Sequence, residues 1–131
     1  MGRFSAGETR RILVAESDAG ARHRLRTILL DSGWPAVLCE DRASVLRALV
    51  SGPYSHFLLD LGLPGQLAND LVRIFRGLGN EGHVVLMAHA FHPDVKPIML
   101  AYGRVEWLVK PFDLRHLQEV LDRAAIASRG S

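Results

Sequence analysis

Cysteine is almost absent from this 131-residue chain: only Cys39 is present, so no disulfide can form within it. A reducing compartment, the cytoplasm, is therefore the expected location. Cys39 lies in an apolar, strand-like run, which favours a buried and inert thiol. Lysine is also scarce, since Lys96 and Lys110 stand beside 14 arginines. The basic residues are scattered and the net charge is only +2. The tightest basic cluster, Arg22-His23-Arg24-Arg26, is interleaved with apolar positions of a helical stretch and reads as a solvated helix face. No basic stripe or reading element accompanies it, which argues against direct binding of nucleic acid. Long apolar runs are missing too. Phe57-Leu58-Leu59 and Val84-Val85-Leu86-Met87 fall far below the roughly 20 residues that a membrane-spanning helix needs. Met1 to Arg11 has no apolar segment resembling a secretory signal. Repeats, low-complexity tracts and internal linkers are absent. One domain is expected over residues 10–126, with disordered ends at 1–9 and 127–131.

What is present is an alternation of short apolar runs with stretches of helical period, the pattern of an α/β fold with a parallel sheet. Strands are expected at Arg11 to Ala15, Ala36 to Cys39, His56 to Leu59, Val84 to Met87 and Glu106 to Val109. The first helix carries Leu25, Ile28 and Leu29 at core spacing and stops near Ser32-Gly33. Asp41 can cap a second helix with Val45, Leu46 and Leu49 on its buried face. A third runs through Leu71, Ile74 and Phe75. Pro93 and Pro97 restrict the fourth, which should begin near Asp94 or later and be regular around Ile98 to Ala101. Asp113 can cap the fifth, with Leu114, Leu117 and Leu121 facing inward. Five strands alternating with five helices fit a doubly wound sheet, whose functional groups collect beyond the carboxyl ends of the strands. That rule selects Glu16 to Asp18, Asp60, Ala88-His89 and Lys110. Three of these four places carry charge directly after an apolar strand, which solvation alone does not require.

Three blocks become specific at those places: Ile12-Leu13-Val14-Ala15-Glu16-Ser17-Asp18, Leu58-Leu59-Asp60-Leu61-Gly62-Leu63-Pro64-Gly65, and Trp107-Leu108-Val109-Lys110-Pro111-Phe112. In order and spacing they resemble the signature blocks of receiver domains of two-component response regulators, over about residues 10–125. The resemblance implies a flavodoxin-like sheet of order 2-1-3-4-5 and a phosphoacceptor role for Asp60, served by a histidine kinase or phosphotransfer protein. It further implies that Mg²⁺ is held by Glu16, Asp60 and the backbone carbonyl of Gly62, with Ser17 and Asp18 as further candidates. It makes Lys110 a fixed cation opposite Asp60 and the Lys110-Pro111 peptide cis. A downstream protein partner and a homodimer through the helix 4–strand 5–helix 5 face are also implied. The chemistry suits these residues. A carboxylate can attack phosphorus to form an acyl phosphate, and cations spread the charge on the transferring group.

The pattern departs from the family at three positions. Ser17 stands where a carboxylate normally ligates the metal, and a hydroxyl is a poorer ligand for a hard dication. Ala88 stands where a Ser or Thr normally bonds a phosphoryl oxygen. Trp107 occupies the aromatic switch position, where it is larger than the usual Tyr or Phe. These departures support an alternative, a degenerate receiver that acts as a phosphorylation-independent interaction module. A hydrolase with an Asp nucleophile is disfavoured, because Gly62 occupies the place of its general acid. No enzymatic turnover is expected beyond self-phosphorylation from a donor and slow self-dephosphorylation. His83, His89 and His92 fit no metal-binding spacing.

Overall fold

A computed structural model of the protein describes residues 10–63, 68–90 and 92–130, with the backbone alone described from 123 onward. Five strands alternate with five helices: β1 (Ile12–Ala15), α1 (Ala19–Asp31), β2 (Ala36–Cys39), α2 (Arg42–Leu49), β3 (His56–Asp60), α3 (Ala68–Gly77), β4 (His83–Ala88), α4 (Val95–Ala101), β5 (Val105–Val109) and α5 (Leu114–Gly130). All pairings are parallel and the strand order is β2-β1-β3-β4-β5, the doubly wound arrangement expected. β3 occupies the centre and is buried along its whole length. No helix among the described residues is long and apolar enough to cross a membrane.

Because strand side chains alternate between faces, each strand feeds two cores. Leu13, Phe57, Leu59, Val84 and Leu86 pack under α2, α3 and α4, against Val45, Leu49, Leu71, Phe75 and Ile98. Ile12, Val14, Leu58, Val85 and Met87 pack under α1 and α5, against Leu25, Leu29, Leu117 and Leu121. Leu114 is the exception to the inward face expected for α5. It is 46% exposed, because it opens the helix before the axis settles onto the sheet. Cys39 is buried and free, and burial pushes its thiol upward.

Helix ends follow from local chemistry. The Asp18 side chain accepts from Ala21 N at 2.8 Å and starts α1. At the other end Gly33 adopts φ 77°, donating to Leu30 O, while Trp34 N donates to Leu29 O. This is a Schellman closure, and its left-handed residue favours glycine. Asp41 and Ser44 form a reciprocal capping box on α2. Pro97 is accommodated as expected: α4 begins at Val95, so the proline falls in a first turn whose amides have no intrahelical acceptor. Asp113 caps α5 through His116 N at 3.0 Å. The backbone of α5 stays helical through Gly130, beyond the boundary drawn at 126. The stretch Ala124-Ala125-Ile126-Ala127 has high helix propensity and no breaker precedes Gly130. Of the disordered ends expected at 1–9 and 127–131, residues 1–9 and Ser131 lie outside the described residues.

Opposite the strand ends that carry the candidate site, the starts of β3 and β4 bring His56 and His83 into register. Gly82 is required there, since a Cβ would stand 2.0 Å from the Ser55 carbonyl oxygen. His56 is 3% exposed and stands edge-on to Trp34, with ring centroids 5.0 Å apart. Its pKa is pushed down to about 4, chiefly by burial, with His83 and Arg10 acting in the same sense against the Leu121 backbone. An unfolded histidine titrates near 6.5, so between those values the unfolded chain binds the extra proton and stability falls as pH drops. Unfolding in urea should therefore cost about 2 kcal/mol less at pH 5 than at pH 7 on account of this group. His56→Met should lose that part of the dependence. An identical pH dependence in the variant would remove His56 as its source.

Candidate functional site

The carboxyl ends of β1, β3 and β5 converge on one cluster. Glu16 follows β1 and is 1% exposed, Asp60 ends β3 and is 5% exposed, and Lys110 follows β5. The Lys110 ammonium donates to Glu16 Oε1 at 3.0 Å and to Asp60 Oδ1 at 3.1 Å. Gly62 N donates to the same Asp60 oxygen at 3.0 Å. The Ser17 hydroxyl donates to the other, Oδ2, at 3.3 Å. The Lys110-Pro111 peptide is cis.

The electrostatics follow from that wiring. Burial pushes the Glu16 carboxyl upward and the neighbouring Asp60 acts in the same sense; together they outweigh the Asp18 amide and Lys110, which lower it. Burial also opposes ionisation of Asp60. There the Gly62 amide, Glu16 and Lys110 outweigh it, and the carboxyl is held below its usual range. Burial disfavours the Lys110 ammonium as well, but Glu16 and Asp60 outweigh it and raise its pKa. Asp60 thus stays ionised with a lone pair to donate, while a fixed cation faces it.

Of the residues selected from sequence, Glu16, Ser17, Asp60, Gly62 and Lys110 are brought together. Asp18 is not: its carboxylate caps α1, and only its amide reaches inward, donating to Glu16 Oε2 at 3.1 Å. Gly62 meets Asp60 through its N–H, a contact that the spacing of the motif does not reveal. Ala88 is buried at the end of β4, and its carbonyl accepts from Lys110 N at 2.8 Å and from the Trp107 indole at 3.3 Å. Trp107 is half-buried against the α2-α3-α4 core. His83 and His89 lie at opposite ends of β4. Pro64 and Gly65 lie outside the described residues.

Arg22, which the sequence places on a solvated basic face, supports the site. Its guanidinium donates to Glu16 O at 3.0 Å and Ser17 O at 3.3 Å, with Glu40 3.6 Å away. A helical side chain points back toward the N-terminus. An arginine one turn into α1 is therefore placed to pin the loop that precedes the helix, and that spacing is the signal available in sequence.

No family model matches the chain. Over 120 residues it is 29% identical to the two-component response regulator PhoP of Pseudomonas aeruginosa, covering 92% of this chain and 53% of that relative. The chain spans about half the length of that protein. A CheY-like receiver domain from Methanospirillum hungatei superposes with a TM-score of 0.84 at 17% identity, over 92% of this chain and 97% of that one. The response regulator TrrA of Thermotoga maritima, in complex with Mg²⁺-BeF, gives 0.75 at 23% identity, over 88% and 99% of the two chains. The chain thus shares the sheet order of these receiver domains and is similar in sequence to a response regulator over most of its own length.

Removing the cation should expose the cost of the two buried carboxylates. Breaking a buried ion group by deleting one partner typically costs 3–5 kcal/mol. Lys110→Met is expected to lose about 3 kcal/mol of unfolding free energy at pH 7. Part should return at pH 5, where one carboxylate can take up a proton. Denaturant unfolding at both pH values measures this, and undiminished stability at pH 7 would contradict the wiring.

Proposed function

We propose that the domain is a phosphoacceptor module: Asp60 accepts a phosphoryl group from the phosphohistidine of a histidine kinase or phosphotransfer protein. The observation that carries this reading is the Lys110 ammonium 3.1 Å from a buried Asp60 held in its ionised form. Asp60 attacks phosphorus, the bond from phosphorus to the donor nitrogen breaks, and the imidazole departs with the electron pair. Lys110 and the Gly62 amide already engage Oδ1, which leaves Oδ2 as the attacking atom. The acyl phosphate then reverts by slow hydrolysis, so the module signals rather than turns over substrate.

Two hard carboxylates completed by waters suit Mg²⁺, and Glu16, Asp60 and the Gly62 carbonyl would hold it. When bound, the ion supplies charge neutralisation for the phosphoryl oxygens. Ser17 in place of a carboxylate, with Lys110 already between the acids, makes its binding weak. Asp18 is committed to the α1 cap and contributes no ligand. The output partner is a protein. Exposed Met99, Leu100, Val109 and Leu114 on α4, β5 and α5 supply an apolar face for it or for a second copy. The setting is cytoplasmic.

A second reading, the phosphorylation-independent interaction module, draws support from β4. Ala88 has no hydroxyl for a phosphoryl oxygen, and Trp107 is already hydrogen-bonded to the Ala88 carbonyl. A ligand shifts a conformational equilibrium only by its differential affinity for the two states. Beryllofluoride with Mg²⁺ should therefore shift the amide resonances of residues 95–117 only slightly, and Ala88→Thr should enlarge the change. Large shifts in the native chain, unaffected by that substitution, would show another route of coupling.

Incubation with acetyl phosphate and Mg²⁺ followed by intact mass tests the primary reading. One phosphoryl adduct is expected in the native chain and none in Asp60→Asn. Label persisting in Asp60→Asn would remove Asp60 from the mechanism.

A further inference from the structure

The two oxygens of Asp60 are held differently, and the difference assigns a task to Ser17. Oδ1 accepts from both the Gly62 amide and the Lys110 ammonium, at 3.0 and 3.1 Å. Oδ2 accepts from the Ser17 hydroxyl at 3.3 Å. Ser17 is half-buried, so a phosphodonor can approach it from solvent. Arg22 anchors its main chain, donating to the Glu16 and Ser17 carbonyls. On the opposite side of the site, the end of β4 offers a methyl group at Ala88. Among the described residues, the hydroxyl in contact with Asp60 is therefore the one that follows β1.

We infer that the Ser17 hydroxyl is the neutral hydrogen-bond donor to the phosphoryl group carried by Asp60. This inference rests on the phosphoacceptor reading of Asp60. As the Oδ2 lone pair is committed to phosphorus, that oxygen becomes a poor acceptor and the Ser17 O–H loses its partner. The non-bridging phosphoryl oxygens adjoin the new P–O bond and carry the negative charge, so the hydroxyl turns to one of them. Ser17 keeps its proton throughout and only exchanges acceptors. The electron pair of the broken bond leaves on the donor, a phosphoimidazole or an acyl phosphate. A hydroxyl bonded to a charged oxygen is a charge-assisted contact. It offsets part of the disadvantage of having no hydroxyl at residue 88. The same geometry makes Ser17 a donor toward the substrate more than a ligand toward a cation, since the proton lies between its oxygen and Asp60.

The experiment compares the native chain with Ser17→Ala and Ser17→Thr. Three quantities are read: acetyl-phosphate labelling of Asp60 by intact mass, beryllofluoride affinity at saturating Mg²⁺, and Mg²⁺ affinity alone. Ser17→Ala is expected to retain some label on Asp60 but to bind beryllofluoride about 10- to 100-fold more weakly, the worth of one charge-assisted hydrogen bond. Ser17→Thr restores affinity, and Mg²⁺ affinity alone changes little in either variant. Ser17→Ala matching the native chain in beryllofluoride affinity while Asp60 is still labelled would overturn the role of Ser17 and leave the phosphoacceptor reading intact. A loss of Mg²⁺ affinity equal to the loss of beryllofluoride affinity would also overturn it, making the hydroxyl a metal ligand. Absence of label and of beryllofluoride binding in the native chain would sink both readings together.

Discussion

The arrangement of the site depends on one ammonium group. Lys110 stands between Glu16 and Asp60, two carboxylates almost wholly removed from water. Neither acid tolerates burial beside the other without a cation, because like charges in a region of low dielectric repel strongly. The requirement reaches across the sheet. β1, β3 and β5 must end at the same level for the three groups to meet, and the parallel order β2-β1-β3-β4-β5 brings their carboxyl ends to one edge. Ala88 O accepts from Lys110 N at 2.8 Å, so the lysine backbone is tied to β4. The two cores beneath α1/α5 and α2/α3/α4 hold the strands at that level, which makes the packing and the charge arrangement one constraint.

Charge counting explains the site's particular character. Glu16 and Asp60 ionised against Lys110 leave one net negative charge, where a carboxylate at residue 17 would leave two. On the proposed reading, that weaker field would attract a dication less. The Ser17 hydroxyl uses the place of the missing charge for a hydrogen bond to Asp60 Oδ2. Trp107 has a comparable effect at the end of β4, where its indole is bonded to the Ala88 carbonyl. At residue 17 an uncharged hydroxyl bonded to the Asp60 carboxylate stands in for a charge, and at the end of β4 an indole bonded to the backbone accompanies the missing hydroxyl.

Much of this is legible in sequence, because a charge placed directly after a buried apolar run is costly unless it meets a partner. The strand cores at Ile12, Ala36, His56 and Val84, the caps at Asp41 and Asp113, and the late start of α4 before Pro97 all follow from periodicity or local backbone chemistry. The same patterns draw Glu16, Asp60 and Lys110 to one edge. Contacts between elements are harder to read. Leu114 sits at a core-like spacing, yet its exposure is set by how α5 settles on the sheet. Arg22 resembles any solvated arginine until α1 is oriented over the loop it grips. The bond from Trp107 to Ala88 O requires knowing which strand lies beside β5. Asp18 illustrates a competition between roles: an aspartate there can cap a helix or face the site, and the α1 amides win it.

The Gly62 amide, Glu16 and Lys110 together keep Asp60 ionised, whereas burial raises the carboxyl of Glu16. Carboxyl-carbon NMR of the metal-free domain, followed through a pH titration, tests it most directly. The Asp60 carbon is expected to titrate below the ordinary aspartate range and the Glu16 carbon above the ordinary glutamate range. Both carbons titrating at ordinary values, or Asp60 holding its proton at higher pH than Glu16, would contradict it.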